Sequence, residues 1–271
     1  MSEMGEFDDR LVGLEDDDLT DDGIREEELS VESLDDLVDH EPTVVELAFG
    51  QKSWRFGHVI VDEAQDLTPM QWRMIVRRSR GRSMTIVGDV AQRTVGEPAA
   101  WSTLLPPELA EVVATQELTI NYRSPEAVNQ LASEYLAHYA PELTASRSVR
   151  RGRSDAIAVV KLATPRRPKG DSSMGSLAEV QAVVEEERKR LDTGRVALIG
   201  VGLQNQDFPD CTVLEPEAAK GLEFDTAVVY EPAEIARLPR GEALLYIAIT
   251  RPTERLVLAH HEALPAPLQH T

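Results

Sequence analysis

The 271 residues lack several features that would place the chain in common classes of protein. Its one cysteine, Cys211, excludes an internal disulfide and fits a reducing cytoplasm. The N-terminus is acidic and has no apolar core segment, so it does not resemble a secretory signal peptide. No apolar run approaches the length of a membrane-spanning helix. We therefore expect a cytoplasmic protein with no membrane partner.

A phosphate-binding loop is missing as well. The pattern Gly-x-x-x-x-Gly-Lys-Ser/Thr does not occur in these residues, and neither does a single Gly-Lys dipeptide. Such a loop cradles the phosphates of a nucleotide with its backbone amides and its lysine. Any nucleotide chemistry encoded by the rest of the sequence is therefore expected to lack this part of the binding site.

Negative charge is concentrated at the N-terminus. Residues 1–48 hold 19 Asp and Glu against two Arg, a net charge of −17, whereas the other 223 residues carry a net charge of −3. A block of like charge cannot bury enough apolar surface to offset its ordering entropy, so we predict a largely disordered acidic arm over 1–48. Two alternatives stay open: an arm that competes for a basic groove, and a short docking helix over 31–48.

Two acidic motifs each follow a short apolar run. Asp62 and Glu63 follow residues 58–61, and the motif Gly-Asp-Val-Ala-Gln at 88–92 follows residues 84–87. Such runs are typical of buried parallel strands, whose carboxyl ends bind ligands in open α/β sheets. Of two neighbouring carboxylates, one can hold Mg²⁺ on phosphates while the other accepts a proton from the attacking water. An acidic turn exposed to solvent is the alternative interpretation.

Three later motifs contribute aromatic, cationic and glycine residues. Tyr122 and Arg123 would allow base stacking and phosphate contact from adjacent positions, or a core ring beside a surface ion pair. Gly221 lets a backbone approach a phosphate or ribose, and Glu223 can accept hydrogen bonds from sugar hydroxyls, although a plain turn is also possible. Arg251 ends an apolar, buried helix, which is the placement of an arginine finger.

Alternating strand and helix patterns predict an α/β fold with parallel sheets and flanking helices. The predicted strands are 57–61, 83–88, 156–162, 195–201, 211–214, 226–230 and 255–260, and the helices begin at about 69 and span 125–139, 176–191 and 241–250. Capping boxes are predicted at Thr68 with Gln71 and at Ser176 with Glu179. A seam between two lobes is predicted near 121–125.

In this order and wording, the five motifs resemble the second half of the UvrD/Rep-like superfamily 1 DNA helicases over residues 55–262. The sequences Asn-Tyr-Arg-Ser-Pro and Lys-Gly-Leu-Glu-Phe-Asp resemble the HelD-like branch in particular, which is known for binding and recycling RNA polymerase. The resemblance implies RecA-like sheets: a partial first lobe at 49–122 and a second lobe at 123–271. It also implies ATP and Mg²⁺ as cofactors and DNA as a partner, with RNA polymerase as a further one.

The resemblance gives each motif residue a role. The residues carried over are Asp62 for Mg²⁺, Glu63 as general base, Gln92 for sensing the γ-phosphate, Arg123 and Arg251 for contacts to the γ-phosphate, Tyr122 for stacking on adenine, Glu223 for the ribose, and Gly221 and Asp89 as further nucleotide-binding positions.

The sequence departs from the family in three ways. Without a Walker A loop, we expect the chain to need an upstream lobe or chain that carries one and not to hydrolyse ATP alone. Only about 95 residues separate Arg123 from Lys220, which leaves no room for an accessory duplex-binding domain. Residues 93–101 replace the aromatic and basic run that usually follows Gly-Asp-x-x-Gln. For Trp101 within this stretch, a core role is favoured over a stacking platform. The alternative function is a non-catalytic module that binds RNA polymerase or another partner that handles nucleic acid.

Overall fold

The computed structural model describes residues 55–96, 99–163, 174–191 and 193–270. The predicted acidic arm over 1–48 and its alternative helix at 31–48 lie outside these residues. Within the described part of the chain, no helix is both long and apolar enough to cross a membrane.

The first two strands form a small parallel sheet. Strand β1, Val59–Val61, pairs with β2, Met84–Ile86. Helix α1, Pro69–Arg78, connects them and begins at the predicted capping box: the Gln71 amide N–H donates to the Thr68 hydroxyl, and the Thr68 N–H donates to the Gln71 side chain. The helix therefore starts where the sequence predicts, because the backbone N–H groups of Thr68 and Gln71 both find acceptors within its first turn.

The core of this first sheet is built around Trp72 of α1, which is fully buried. It packs with Val61 of β1 and with Leu105 and Leu109. Leu105 directly follows the short helix α2, Trp101–Leu104, and Leu109 lies in the short helix α3, Pro107–Ala110. Trp101 packs against the same cluster, which favours the core interpretation of this residue.

A second pair of strands and a long helix follow. Strand β3, Ile120–Asn121, pairs in parallel with β4, Arg147–Ser148. Helix α4, Glu126–Tyr139, lies between them in the chain. Its buried residues are Val128, Leu131, Ala132, Tyr135 and Leu136. They occupy the face that the helical periodicity of the sequence predicts.

Five further strands form the main sheet, in which every neighbouring pair is parallel. They are β5 (Ile157–Lys161), β6 (Val196–Ile199), β7 (Thr212–Leu214), β8 (Phe224–Tyr230) and β9 (Pro252–His260), in the spatial order β5-β9-β8-β6-β7. The accompanying helices are α5 (Met174–Arg190), α6 (Pro232–Ala236) and α7 (Gly241–Ile249). The predicted α/β fold with parallel sheets is confirmed.

Both faces of the main sheet are buried, because alternate residues of each strand enter different apolar clusters. In β6, Val196 and Leu198 pack in the cluster that contains Val180 of α5. Ala197 and Ile199 pack in the other cluster, which contains residues of α4 and α7. The near-continuous apolar runs of these strands follow from this two-sided burial.

One predicted helix start is wrong. Helix α5 begins at Met174, so Ser176 lies inside the helix and not before its first residue. The Glu179 carboxylate instead accepts a hydrogen bond from the Ala163 backbone N–H at 2.8 Å. The acid therefore satisfies a backbone group at the end of β5, a contact that a local sequence pattern does not reveal.

Candidate functional site

The two acidic motifs lie at the same edge of the first sheet. Asp62 and Glu63 directly follow β1, whereas Asp89 and Gln92 follow β2. Because the strands are parallel, their carboxyl ends meet at one edge. The backbone continues this contact past the strands, since the Ala64 N–H donates to the Val87 carbonyl at 3.0 Å.

A second set of residues approaches from the N-terminal ends of two strands of the main sheet. Glu223 directly precedes β8, and Arg251 directly precedes β9. The Phe224 N–H donates to the Arg251 carbonyl oxygen at 3.2 Å, so the two positions are neighbours. Lys220 and Gly221 lie in the turn before Glu223, where Gly221 adopts a positive φ of 71° that favours glycine.

Lys220 joins the two sets. Its ammonium group donates to the Asp66 carboxylate and, at 3.1 Å, to the Gln92 carbonyl oxygen. It also lies 3.5 Å from Glu63 Oε2. Lys220 had no predicted role. A cation placed just before the glycine turn was the available signal, but its carboxylate partners are more than a hundred residues away in the chain.

Asp66, three residues after Glu63, is held as a carboxylate. Burial by itself would raise its pKa, but the Lys220 ammonium and the backbone amides of Thr94 and Val95 outweigh burial, so the pKa lies below its usual range. The Thr94 N–H donates to Asp66 Oδ1 at 3.0 Å. Asp66 therefore anchors both Lys220 and the loop that follows Gln92.

Gln65 couples the two acidic motifs from a fully buried position. Its amide nitrogen donates to Glu63 Oε2 at 2.7 Å, and its amide oxygen accepts from the Asp89 N–H at 3.0 Å. Gly88 makes room for this contact, because a Cβ at that position would lie 2.3 Å from Gln65 Oε1. Gln65 had no predicted role.

Glu63 has a left-handed backbone, with φ 50° and ψ 35°. A non-glycine residue in this region costs about 1–3 kcal/mol and persists only when the surroundings fix it. Its N–H donates to Asp62 Oδ1 at 2.8 Å, and its carboxylate is held by Gln65 and Lys220. The backbone turn thus directs Glu63 toward Lys220, on the side of the main sheet.

Arg251 completes the network from the end of α7. It is 3% exposed, and its guanidinium donates to the Ile247 carbonyl at 2.9 Å, the Leu222 carbonyl at 3.3 Å and Gln92 Oε1 at 3.2 Å. Burial is the main cause that lowers the pKa of Arg251. Nearby Arg123 lowers it further, whereas Glu63, among other acids, acts in the opposite direction.

Gln92 is oriented by its own loop. Its side-chain amide nitrogen donates to Asp89 Oδ2 at 2.9 Å, and the other oxygen of Asp89 accepts from the Ala91 N–H, also at 2.9 Å. The Tyr139 hydroxyl of α4 donates to the Ala91 carbonyl at 2.5 Å. The Gly-Asp-x-x-Gln loop is therefore fixed both by its own side chains and by a helix that packs against it.

Arg123 and Glu223 form an ion pair of 2.7 Å next to this network, and both side chains are half-exposed. Tyr122 follows β3 and is 79% exposed, so the alternative that placed its ring in the core is wrong. Lys220 thus contacts both Glu63 and Gln92, and Gln92 in turn contacts Arg251. Arg123 is paired with Glu223. Tyr122 has no hydrogen bond to these groups within the described residues.

The donor set restricts the metal chemistry of the site. Within the described residues, no cluster of three or more His, Cys, Asp or Glu side chains could hold a metal ion. Mg²⁺, however, is commonly bound through one or two carboxylates together with substrate phosphates and waters. The solvent-exposed carboxylate of Asp62 fits that mode.

A family model matches part of the chain. Residues 31–94 match the UvrD/REP helicase N-terminal domain, which is roughly a quarter of the sequence and contains both acidic motifs. The predicted resemblance to UvrD/Rep-like helicases is thereby confirmed, while the HelD-like branch stays a prediction. No curated protein matches the sequence.

Several solved helicase structures are similar to the chain. Arterivirus nonstructural protein 10 (helicase) in complex with DNA has 15% identity over 77% of this chain and 41% of its own, with a TM-score of 0.44. The PRRSV helicase has 16% identity over 78% of this chain and 36% of its own, with a TM-score of 0.44. The C-terminal domain of a possible DNA helicase from Lactobacillus plantarum WCFS1 has 20% identity over 55% of this chain and 92% of its own, with a TM-score of 0.35. The chain thus spans about two fifths of the length of the two viral proteins.

Proposed function

We propose that this chain is the C-terminal part of an ATP-dependent DNA helicase or translocase of the UvrD/HelD type. One observation carries the proposal: the Lys220 ammonium and the Arg251 guanidinium reach the acidic motifs from the opposite sheet. A carboxylate, an amide and two cations are thereby brought together where residues of two parallel sheets meet, which is the set of groups that phosphoryl transfer uses. The family match over 31–94 supports the same function.

In this proposal Glu63 accepts a proton from the attacking water. Its carboxylate is oriented by the Gln65 amide, 2.7 Å away, so the base is positioned before the substrate binds. Asp62 would hold Mg²⁺, and a bound Mg²⁺ would offset charge on the β- and γ-phosphates. Gln92, whose side-chain oxygen accepts from Arg251 at 3.2 Å, would sense the γ-phosphate.

Nucleotide binding in this proposal exchanges one set of contacts for another. Arg123 would leave Glu223 for the γ-phosphate, and Glu223 would then accept hydrogen bonds from the ribose. Because both members of the pair are half-exposed, breaking it costs little. The exposed ring of Tyr122 would stack on adenine, and Gly221 and Asp89 would line the same site.

We further propose that an upstream lobe or chain supplies the missing phosphate loop. The parallel sheet of β1 and β2 supports this idea, since Ile60 at its centre is 73% exposed. Parallel sheets are normally covered on both faces, so a bare isoleucine indicates a surface for another structural element. DNA would bind to the assembled protein, through a partial first lobe at 49–122 and a second lobe at 123–271.

Phosphate release from radioactive ATP, together with titration of a fluorescent ATP analogue, tests the proposal. We expect weak nucleotide binding by the chain alone, no better than micromolar, and at least tenfold weaker binding by Arg251→Gln. Any hydrolysis above buffer should disappear in Glu63→Gln and persist in Glu108→Gln, a control at an exposed position. Nanomolar binding, or hydrolysis that survives Glu63→Gln, would contradict these assignments.

The second candidate is a non-catalytic binding module for RNA polymerase or another partner that handles nucleic acid. The absence of any Gly-Lys dipeptide favours it. Purified RNA polymerase retained by the immobilised chain, with no detectable nucleotide binding, would support this function over the first. Nucleotide binding that depends on Arg251 would exclude the inert module.

A further inference from the structure

One exposed face of helix α1 combines methionine and arginine. Met70, Arg73, Met74 and Arg77 follow the spacing of three and four residues that places side chains on one side of a helix. The two methionines are 62% and 61% exposed, and both arginines are exposed. We call these four residues the methionine–arginine face.

The orientation of the helix is fixed by its opposite side. Trp72 is fully buried, and Ile75 and Val76 pack in the same apolar cluster. The capping box at Thr68 fixes where the helix starts. The methionine–arginine face therefore cannot turn inward without removing Trp72 from the core.

Positive charge extends beyond the helix. From residue 67 to 88 the sequence contains five arginines and no acidic residue. Arg80 and Arg82 are exposed in the turn after the helix, where Gly81 and Arg82 have positive φ values of 69° and 59°. Among the residues that the structure describes, none forms an ion pair with Arg73, Arg77, Arg80 or Arg82. Within the described residues, these four arginines therefore keep their guanidinium charges available for an acidic partner.

Helix stability explains only part of this arrangement. Cations in the last turn, such as Arg77, interact favourably with the helix dipole. That effect does not extend to Arg73 in the middle of the helix or to Arg80 beyond it, and it does not explain two exposed methionines. Methionine and arginine are among the residue types that are enriched in protein interfaces. The flexible thioether of methionine also adapts to varied apolar partners.

We propose that the methionine–arginine face is a docking surface for an acidic amphipathic segment of a partner protein. Apolar side chains of that segment cover Met70 and Met74, and its carboxylates pair with Arg73 and Arg77. Arg80 and Arg82 extend the electrostatic attraction beyond the contact surface and increase the rate of association. A nucleic-acid backbone would satisfy the arginines but leave both methionines bare, so the apolar component favours protein. This inference does not depend on nucleotide hydrolysis.

The test measures fluorescence anisotropy with a labelled helical peptide of about five turns, with leucine at a three-four spacing and glutamate on the flanks. We expect saturable binding, weakened at least tenfold by Arg73→Glu with Arg77→Glu and about fivefold by Met70→Ser with Met74→Ser. The matched control is Arg147→Glu with Arg151→Glu, an equal charge change at exposed sites, which should leave binding unchanged. Circular dichroism confirms that each variant is folded.

Two further arms complete the design. A peptide with lysine in place of glutamate should bind the Arg73→Glu, Arg77→Glu variant and not the unmodified chain, which a merely unfolded variant could not reproduce. A labelled DNA duplex of similar length tests the other class of partner. No saturable peptide binding, binding insensitive to the methionine substitutions, or tighter binding of the duplex at the same arginines would each overturn the proposal.

Discussion

Arg251 Nη2 donates a hydrogen bond to Gln92 Oε1 over 3.2 Å, across 159 positions of sequence. The contact joins the end of α7 to the loop that follows β2. Arg251 is also fixed from behind, since the Ile247 carbonyl accepts from its Nε at 2.9 Å. A planar guanidinium held in this way keeps its orientation, so little entropy remains to be lost when it meets an anion.

Replacing Arg251 by methionine should lower the free energy of unfolding by about 2–3 kcal/mol, because the change removes the buried partner of Gln92 Oε1 and of two carbonyl groups. Urea unfolding followed by circular dichroism measures the change. Arg151→Met, at an exposed position, provides the control and should stay within about 0.5 kcal/mol. Equal losses in both variants would show that the Arg251 contacts add nothing specific to stability.

Gly88→Ala should lower the free energy of unfolding by about 2 kcal/mol, because overpacking a filled site forces neighbours to shift. Its Cβ would lie 2.3 Å from Gln65 Oε1 and 2.9 Å from Trp101 Cη2. Gly57→Ala is the matched control, since nothing lies within 4 Å of a Cβ there. Thermal unfolding compares the two variants. A fully stable Gly88→Ala protein would mean that Gln65 can move away without loss.

Local patterns in the sequence were sufficient for much of the fold. The start of α1 was predictable because Thr68 and Gln71 satisfy each other within one helical turn. The buried face of α4 follows from helical periodicity alone. Strand ends were less predictable: β2 covers Met84–Ile86 rather than 83–88, because its partner β1 pairs only over Val59–Val61.

The parts of the site that could not be predicted depend on contacts between distant segments. Lys220 meets Asp66 across 154 positions, and no spacing rule in one sequence relates them. The role of Gln65 could not be predicted either, because it depends on complete burial and on contacts to both Glu63 and Asp89. The motif residues were recognisable from their types, whereas the residues that orient them became apparent only in three dimensions.

The Asp66–Lys220 pair should make stability dependent on pH. The pKa of Asp66 lies below its usual value, so its contribution is fully present above about pH 4, the unfolded value of an aspartate. It is lost as pH falls through the folded pKa. Asp66→Asn should therefore be less stable than the unmodified chain at pH 7 by about 2 kcal/mol, with a difference that shrinks toward pH 2. Urea midpoints across this range measure it.

The control for this prediction is Asp210→Asn, because Asp210 is exposed and forms no ion pair within the described residues. Its stability difference from the unmodified chain should stay near zero at every pH. A second variant, Lys220→Met, should reproduce the loss at pH 7 because it removes the cation that holds Asp66 as a carboxylate. If the difference between Asp66→Asn and the unmodified chain were constant across the pH range, the pair would not govern acid stability.

The single thiol should react slowly in the folded protein. Burial, assisted by the nearby charge of Asp210, raises the pKa of Cys211 to about 11. At pH 8 the thiolate fraction should then be roughly a hundredfold or more below that of a free cysteine, whose pKa is about 8.5, because only the thiolate attacks.

Ellman's reagent measures the rate at which the Cys211 thiol reacts, and this rate should rise about tenfold per pH unit up to pH 10. Since the sequence has one cysteine, the signal has a single source. Unfolding in guanidinium should restore the rate of a free thiol, and a folded protein that reacts equally fast would show that Cys211 is not protected by burial.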